Sequence, residues 1–231
     1  MTKDEFAQTY LGYVPGPENK AQILEDKEIV LGDIDWVSQG VVTPIKNQGQ
    51  CGSCWAFSTT GNLEALSKIA YGSLQSFSEQ QLVDCSAKYG NMGCNGGNMG
   101  AAMNFVRDNG IVHEDDYEYV AKKQVCKVSV GPFKISGHTP VISCPLLALA
   151  LQNTPISVAV DATNWKDYSS GVFDNCQANL NHGVLVVGSR SSDNSWRVKN
   201  SWSTSWGEQG YISLKSGNTC GVCLQGNMAK K

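Results

Sequence analysis

The sequence predicts an α+β protein of two lobes, a mainly helical front half and a mainly β back half. Three observations carry this. Between about residues 54 and 110, apolar residues recur at three- and four-residue steps. From about 137 onward, short apolar or alternating runs replace them. Side chains able to do chemistry occur in both halves, which places a working site in a cleft between lobes.

The elements follow in order. Ala56, Leu63, Leu66 and Ala70 share one face of a helix that begins near Cys54 and stops at Gly72. Ser78 and Gln81 have the spacing of a capping box, so a short helix runs from 78 to about 84. Cys94-Asn-Gly-Gly97 is a turn-rich loop ahead of Met99, Ala102, Met103 and Val106, a helical pattern closed by Gly110. Pro145 opens one more helix over 146–153. Stretches 156–160 and 183–188 are short apolar strand candidates, and 195–200 and 211–215 alternate. Residues 1–31 stand apart as an add-on, with Pro15-Gly16-Pro17 reading as an extended connector. The expected organisation is therefore 1–31, a helical lobe over 32–137 and a β lobe over 138–231.

Composition excludes several function classes. The 231 residues are 41% hydrophobic and 17% charged, with a formal net charge of −3 and no Lys/Arg-rich run. Nucleic acid and anionic membranes are not expected partners. The longest apolar runs, 146–151 and 184–187, are far too short to span a bilayer. Nine cysteines spread along the chain point to an oxidising compartment, several disulfides and at least one free thiol, because the number is odd. The first 30 residues nevertheless lack the apolar stretch of a signal peptide, so the beginning of a precursor is expected upstream.

The chemistry centres on Gln48-Gly-Gln-Cys-Gly-Ser-Cys-Trp-Ala-Phe-Ser58. Cys54 falls on the first turn of a helix, where unpaired N–H groups and the dipole favour a thiolate. A cysteine nucleophile needs a base, and the base needs an orienting partner. Among three histidines, His113 lies in an acidic, solvated stretch, and His138 sits in a loop-like stretch without an evident partner. His182 precedes an apolar strand 128 residues after Cys54, and Asn200 follows 146 residues after it in Asn200-Ser-Trp202.

Cys51-Gly-Ser-Cys-Trp55, Asn181-His182 and Asn200-Ser-Trp202, in this order and at these intervals, resemble the papain-like cysteine proteases, specifically the cathepsin L-like group. The resemblance covers essentially all of 32–231. It implies a papain-like fold, with a mostly helical left lobe, an antiparallel β-barrel-like right lobe and the active site between them. It implies a cysteine endopeptidase using Cys54 as thiolate nucleophile and His182 as its imidazolium partner. Asn200 would orient the ring, Trp202 would cover that hydrogen bond, and Gln48 with the Cys54 N–H would hold the oxyanion. The substrate pocket maps to Met99, Ala159, Leu180, Gly183 and Gln225, with backbone bonds from Gly96 and Gly97. Leu, Phe or Val is expected two residues before the scissile bond, with Gln225 near the pocket floor. The family pairs Cys51–Cys94, Cys85–Cys126 and Cys176–Cys220; Cys144 and Cys223 have no family counterpart, and a fourth bridge is the favoured outcome.

By the same resemblance, 1–6 matches the late part of a prosegment, with activating cleavage around 28–32. Because the prosegment's upstream helical motifs are absent, the remnant is expected to inhibit weakly or not at all. No metal or cofactor is implied. Partners are peptide and protein substrates and cystatin-type inhibitors, in a monomer located in a lysosome or vacuole, or secreted. The sequence departs from the family at Gly188-Ser189-Arg190, at Trp202-Ser203 and at Gly183, positions that bear on specificity and loop geometry. Two other classes compete. Cys51-x-x-Cys54 has the form of a thiol–disulfide oxidoreductase motif, though no βαβ context precedes it. A zinc site would need a second close ligand pair, for which only Cys220-x-x-Cys223 offers itself.

Overall fold

A computed structural model describes residues 1–16 and 29–231. The acidic part of the expected connector, 17–28, lies outside the described residues. The chain opens with a helix inside the supposed add-on, α1 (Lys3–Tyr10). A capping box starts it: the Glu5 N–H donates to Thr2 Oγ1, and the Thr2 N–H donates to the Glu5 carboxylate. Phe6 is the side chain that α1 buries. The two-residue strand β1 (Ile34–Asp35) then joins the sheet of the back half. The front stretch is thus not purely helical.

The central helix, α2 (Cys54–Tyr71), is buried without a break from Cys54 to Ala65 and ends at Gly72 in the left-handed region, φ 77°. Total burial explains its blurred amphipathic pattern, because partners come from both lobes. Ser58 Oγ donates to the Val184 carbonyl at 2.7 Å, and Asn62 bonds the Pro155 carbonyl and the Ala229 N–H. Helices α3 (Glu79–Cys85) and α4 (Met99–Asn109) pack beside it, capped by Ser78 and Asn98. After β2 (Gly137–Val141), α5 (Cys144–Leu151) starts under a Ser143 cap. His138 lies in β2 rather than in a loop.

The remaining strands are β3 (Ile156–Val160), β4 (Val172–Phe173), β5 (His182–Arg190), β6 (Ser195–Lys199), β7 (Tyr211–Lys215) and β8 (Gly226–Lys230). They form the order β2-β8-β3-β5-β6-β7-β4, with β1 on β5. Every neighbouring pair is antiparallel except β4 with β7. The sheet is open, since β2 and β4 end it without meeting, so the barrel-like expectation needs this correction. Two cores result. One is built by Trp55, Leu63, Phe77, Leu82 and Met99, the other by Trp165, Trp196, Val158, Val186 and Leu214.

Between these cores lies a buried charge cluster around a cavity of about 20 Å³. Lys46 Nζ bridges Glu64 (2.8 Å) and Glu79 (2.7 Å). Lys199 Nζ donates to the Thr43 carbonyl and hydroxyl. Burial pushes Lys199 down to about 8, although Glu64 works against the shift. Burial would raise the Glu64 carboxyl, but Lys46 and Lys199 hold it below the ordinary value. Replacing Glu64 with Ala removes the main carboxylate acting on buried Lys199 and leaves Lys46 paired with Glu79 alone. We expect it to cost about 3–5 kcal/mol of stability in denaturant melts; a loss under about 1 kcal/mol would contradict this electrostatic account.

Candidate active site

Cys54 is the first residue of α2. The preceding Ser53 makes no side-chain cap, so the first-turn N–H groups stay available to an anion. The disulfide Cys51–Cys94 and the Gly52 N–H bonded to the Cys94 carbonyl (3.0 Å) hold this loop against the 93–97 turn. The other bridges are Cys85–Cys126, Cys144–Cys223 and Cys176–Cys220, and Cys54 is the free cysteine.

His182 begins β5 and Asn200 directly follows β6, its hydrogen-bonded neighbour. His182 Nε2 lies 2.8 Å from Asn200 Oδ1. The same oxygen accepts the Ser201 N–H (2.8 Å), which orients the amide. Nε2 then carries the proton, and Nδ1 is the nitrogen left to exchange one with Cys54. Trp202 stacks at a tilt over the imidazole, with centroids 4.6 Å apart. Its indole N–H and the Ser201 hydroxyl both donate to Gln48 Oε1, at 3.1 and 2.7 Å. That turns the Gln48 NH₂ toward the cleft. Tyr119, unnoticed in the sequence, donates to the Gln48 carbonyl and contacts Ser53 Oγ, bracing both ends of the loop.

The N-terminal segment fills the cleft. Phe6 and Tyr10 meet Trp202 edge-on, at 5.1 and 6.1 Å. Gln48 Nε2 donates to the Tyr10 carbonyl at 3.1 Å. The Gly97 N–H donates to the Gly12 carbonyl and the Val14 N–H to the Gly97 carbonyl, both at 2.9 Å. The Gly96 carbonyl instead accepts from Met92 within its own turn; Gly96 contributes room, since a Cβ there would stand 2.8 Å from the Gly12 oxygen. Tyr13 is 6% exposed and packs in one cluster with Met99, Ala159 and Leu180. Gly183 lets β5 approach Met99 and Trp55, and Gln225 sits beside Ala159, whose N–H donates to the Gln225 carbonyl.

This covering changes the electrostatics from those expected of an ion pair. Cys54 and His182 are both 0% exposed. Burial pushes the thiol up to about 11, although backbone N–H groups of Gly183, Gly12, Trp55 and Cys54 pull the other way. Burial likewise drives His182 down to about 4 against Asn200 and the Tyr10 carbonyl. The covered pair is therefore a neutral thiol and a neutral imidazole. A thiolate belongs to the open cleft.

Two lobes that meet on a thiol, an imidazole and a carboxamide have the build of a thiol protease. A family model for the papain family of cysteine proteases matches residues 31–229, and the chain belongs to that family. It is 46% identical over 228 residues to Cathepsin L 2 of Paramecium tetraurelia, covering 96% of this chain and 72% of that one. It is 41% identical over 243 residues to procathepsin L of Mus musculus, with the same coverage. The structure of digestive procathepsin L 3 of Tenebrio molitor superposes with a TM-score of 0.88 at 38% identity, covering all of this chain and 80% of that one. The chain is a cathepsin L-like cysteine endopeptidase acting on peptide and protein substrates. The oxidoreductase reading loses its footing because Cys51 is bonded to Cys94, and the zinc reading because Cys220 and Cys223 are each in disulfides.

Proposed function

We propose that Cys54, His182, Asn200 and Gln48 carry out the hydrolysis, and that the described N-terminal segment is a prosegment holding the enzyme latent. The observation that carries this is the free thiol at the start of α2, which lies against the backbone N–H of Gly183, the neighbour of the Asn200-held His182. Once the cleft opens, water and the α2 N-terminus favour sulfur as thiolate, and its proton passes to His182 Nδ1. The thiolate attacks the scissile carbonyl, and the C=O electron pair moves onto oxygen between Gln48 Nε2 and the Cys54 N–H. His182 gives its proton to the leaving amine as the C–N bond breaks, then draws one from water to hydrolyse the thioester.

Chain polarity supports latency. In a substrate, the pocket residue precedes the scissile carbonyl. Here the carbonyl against Gln48 belongs to Tyr10, which precedes Tyr13 in the pocket, so the segment runs backwards and presents no cleavable bond. Tyr13 supports an aromatic or large aliphatic side chain at that substrate position. Trimming near Leu31, a location in a lysosome, vacuole or secreted fluid, and inhibition by cystatin-type proteins belong to the same reading. After limited proteolysis, an epoxide or vinyl-sulfone electrophile is expected to modify Cys54 alone and abolish peptidase activity. Activity surviving full modification of Cys54 would refute the assignment.

A further inference from the structure

Beyond the pocket that holds Tyr13, the structure contains a hollow of about 220 Å³ between α4, β2 and β8. Strand geometry builds it. Gln225, just before β8, and Asn227, on β8, are two apart, and both line it. On β2, Pro140 pairs with Asn227, and His138 lies two residues before it on the same face. Helix α4 crosses over them with Gly100 and Asn104, and Asn98 caps its start. Gln225 joins the hollow to the Tyr13 pocket: it lines the hollow, and its carbonyl accepts from the N–H of Ala159, which clusters with Tyr13. Gly16, three residues beyond Tyr13, stands at its lip near Asn98.

Two features point to a ligand. Asn227 is 3% exposed, yet its Nδ2 has no hydrogen-bond partner, a costly state unless something else accepts from it. Gly100 leaves the space open beside that amide: a Cβ there would sit 3.6 Å from Asn227 Oδ1 and 3.4 Å from His138 Cε1. Among the described residues, no Asp, Glu, Lys or Arg lines the hollow. A charged guest would lose hydration with no Asp, Glu, Lys or Arg to pair with it, whereas a carboxamide could both accept and donate.

We propose that the substrate pocket continues into this hollow and that the enzyme accepts glutamine two residues before the scissile bond, its carboxamide held by Asn227 and Gln225. The proposal rests on the protease reading and deepens its substrate class. Apolar side chains fill only the front of the pocket, while glutamine spans it and satisfies the buried amide. Other side chains separate by chemistry. Arginine and glutamate reach as far but bring an unpaired charge.

The test uses the full chain activated by limited proteolysis and matched peptides carrying Gln, Leu, Arg or Glu at that position. The expected kcat/KM for the Gln peptide is within about thirtyfold of the Leu peptide and above those for Arg and Glu. Asn227→Leu and Gly100→Leu should each lower the Gln-to-Leu ratio at least about tenfold. Gly100→Leu also adds a helix former, so it reports even if loss of the buried amide impairs folding of the other variant. A larger Gln deficit, a better Arg or Glu peptide, or a ratio unmoved by Gly100→Leu overturns the proposal while the protease reading stands. No cleavage of any peptide together with no electrophile labelling of Cys54 would instead bring down the protease reading itself.

Discussion

Cys54→Ala is expected to lower kcat of the activated enzyme by about 10⁶, with KM for a good peptide changed little. The variant keeps Gln48, the α2 N-terminus and the pocket, so it still binds substrate and can stabilise some charge on the carbonyl oxygen. What disappears is the covalent route: the attacking sulfur, the thioester and the exchange of one proton with His182. Water would have to replace the thiolate, and the described residues place it no closer. Cys51→Ala, three residues away, gives the contrasting result. It opens the Cys51–Cys94 staple and is expected to cost about 2–5 kcal/mol of stability, while the enzyme that remains folded still reacts through Cys54. Peptide hydrolysis assays and denaturant melts on both variants separate the roles. Residual turnover above about 1% in Cys54→Ala would remove the nucleophile from that position.

What the sequence reveals and hides follows from how local each signal is. The long helix from Cys54 to Gly72 was legible because its start, apolar spacing and glycine stop lie within one stretch. Ser78 and the strand 156–160 were legible for similar reasons. Strands β2 and β8 were not. Gly137-His-Thr-Pro-Val141 and Gly226-Asn-Met-Ala-Lys230 mix polar and small residues, and only pairing with distant strands, β2 with β8 and β8 also with β3, makes them strands. Whether Cys144 pairs with Cys223 was open for a related reason, since folding alone brings the start of α5 to Cys223. The helix α1 did carry a signal, the Thr2–Glu5 capping box, but its docking depends on the distant face of Trp202. The motif spacing brought Cys54, His182 and Asn200 together on paper; it said nothing about which groups bury them. The neutral state of the covered pair was therefore invisible in the sequence, because it comes from burial, against which the Gly12 and Tyr10 backbone groups work.

That covering leads to the second large effect: Gly12→Val is expected to activate the intact chain without any proteolysis. A Cβ on Gly12 would stand 2.1 Å from the Gly52 carbonyl oxygen. Gly52 cannot yield, because its N–H is bonded to the Cys94 carbonyl and its neighbour Cys51 is in a disulfide. The segment must lift instead, breaking the bonds of Gly12 and Val14 to Gly97. Intact Gly12→Val should hydrolyse a peptide with kcat/KM about 10² above the intact parent, approaching the trimmed enzyme. The pKa shifts supply an independent readout. Between pH of about 4 and about 11 the covered pair keeps its one proton on sulfur. Uncovering moves that proton to the imidazole, so the pair takes none from solvent; the contrast in thiolate is largest at low pH and narrows as pH rises. With the thiol pushed up to about 11, only a very small fraction is thiolate at pH 6, and that fraction rises about tenfold with each pH unit below 11. Iodoacetamide should therefore alkylate Cys54 slowly in the intact parent from pH 5 to 8. In the trimmed enzyme and in Gly12→Val it should react faster by at least about 10² over the same range. Equal alkylation rates in the intact parent and the trimmed enzyme would mean that the segment leaves the cleft freely in solution, and the expectation of a weakly inhibiting remnant would stand.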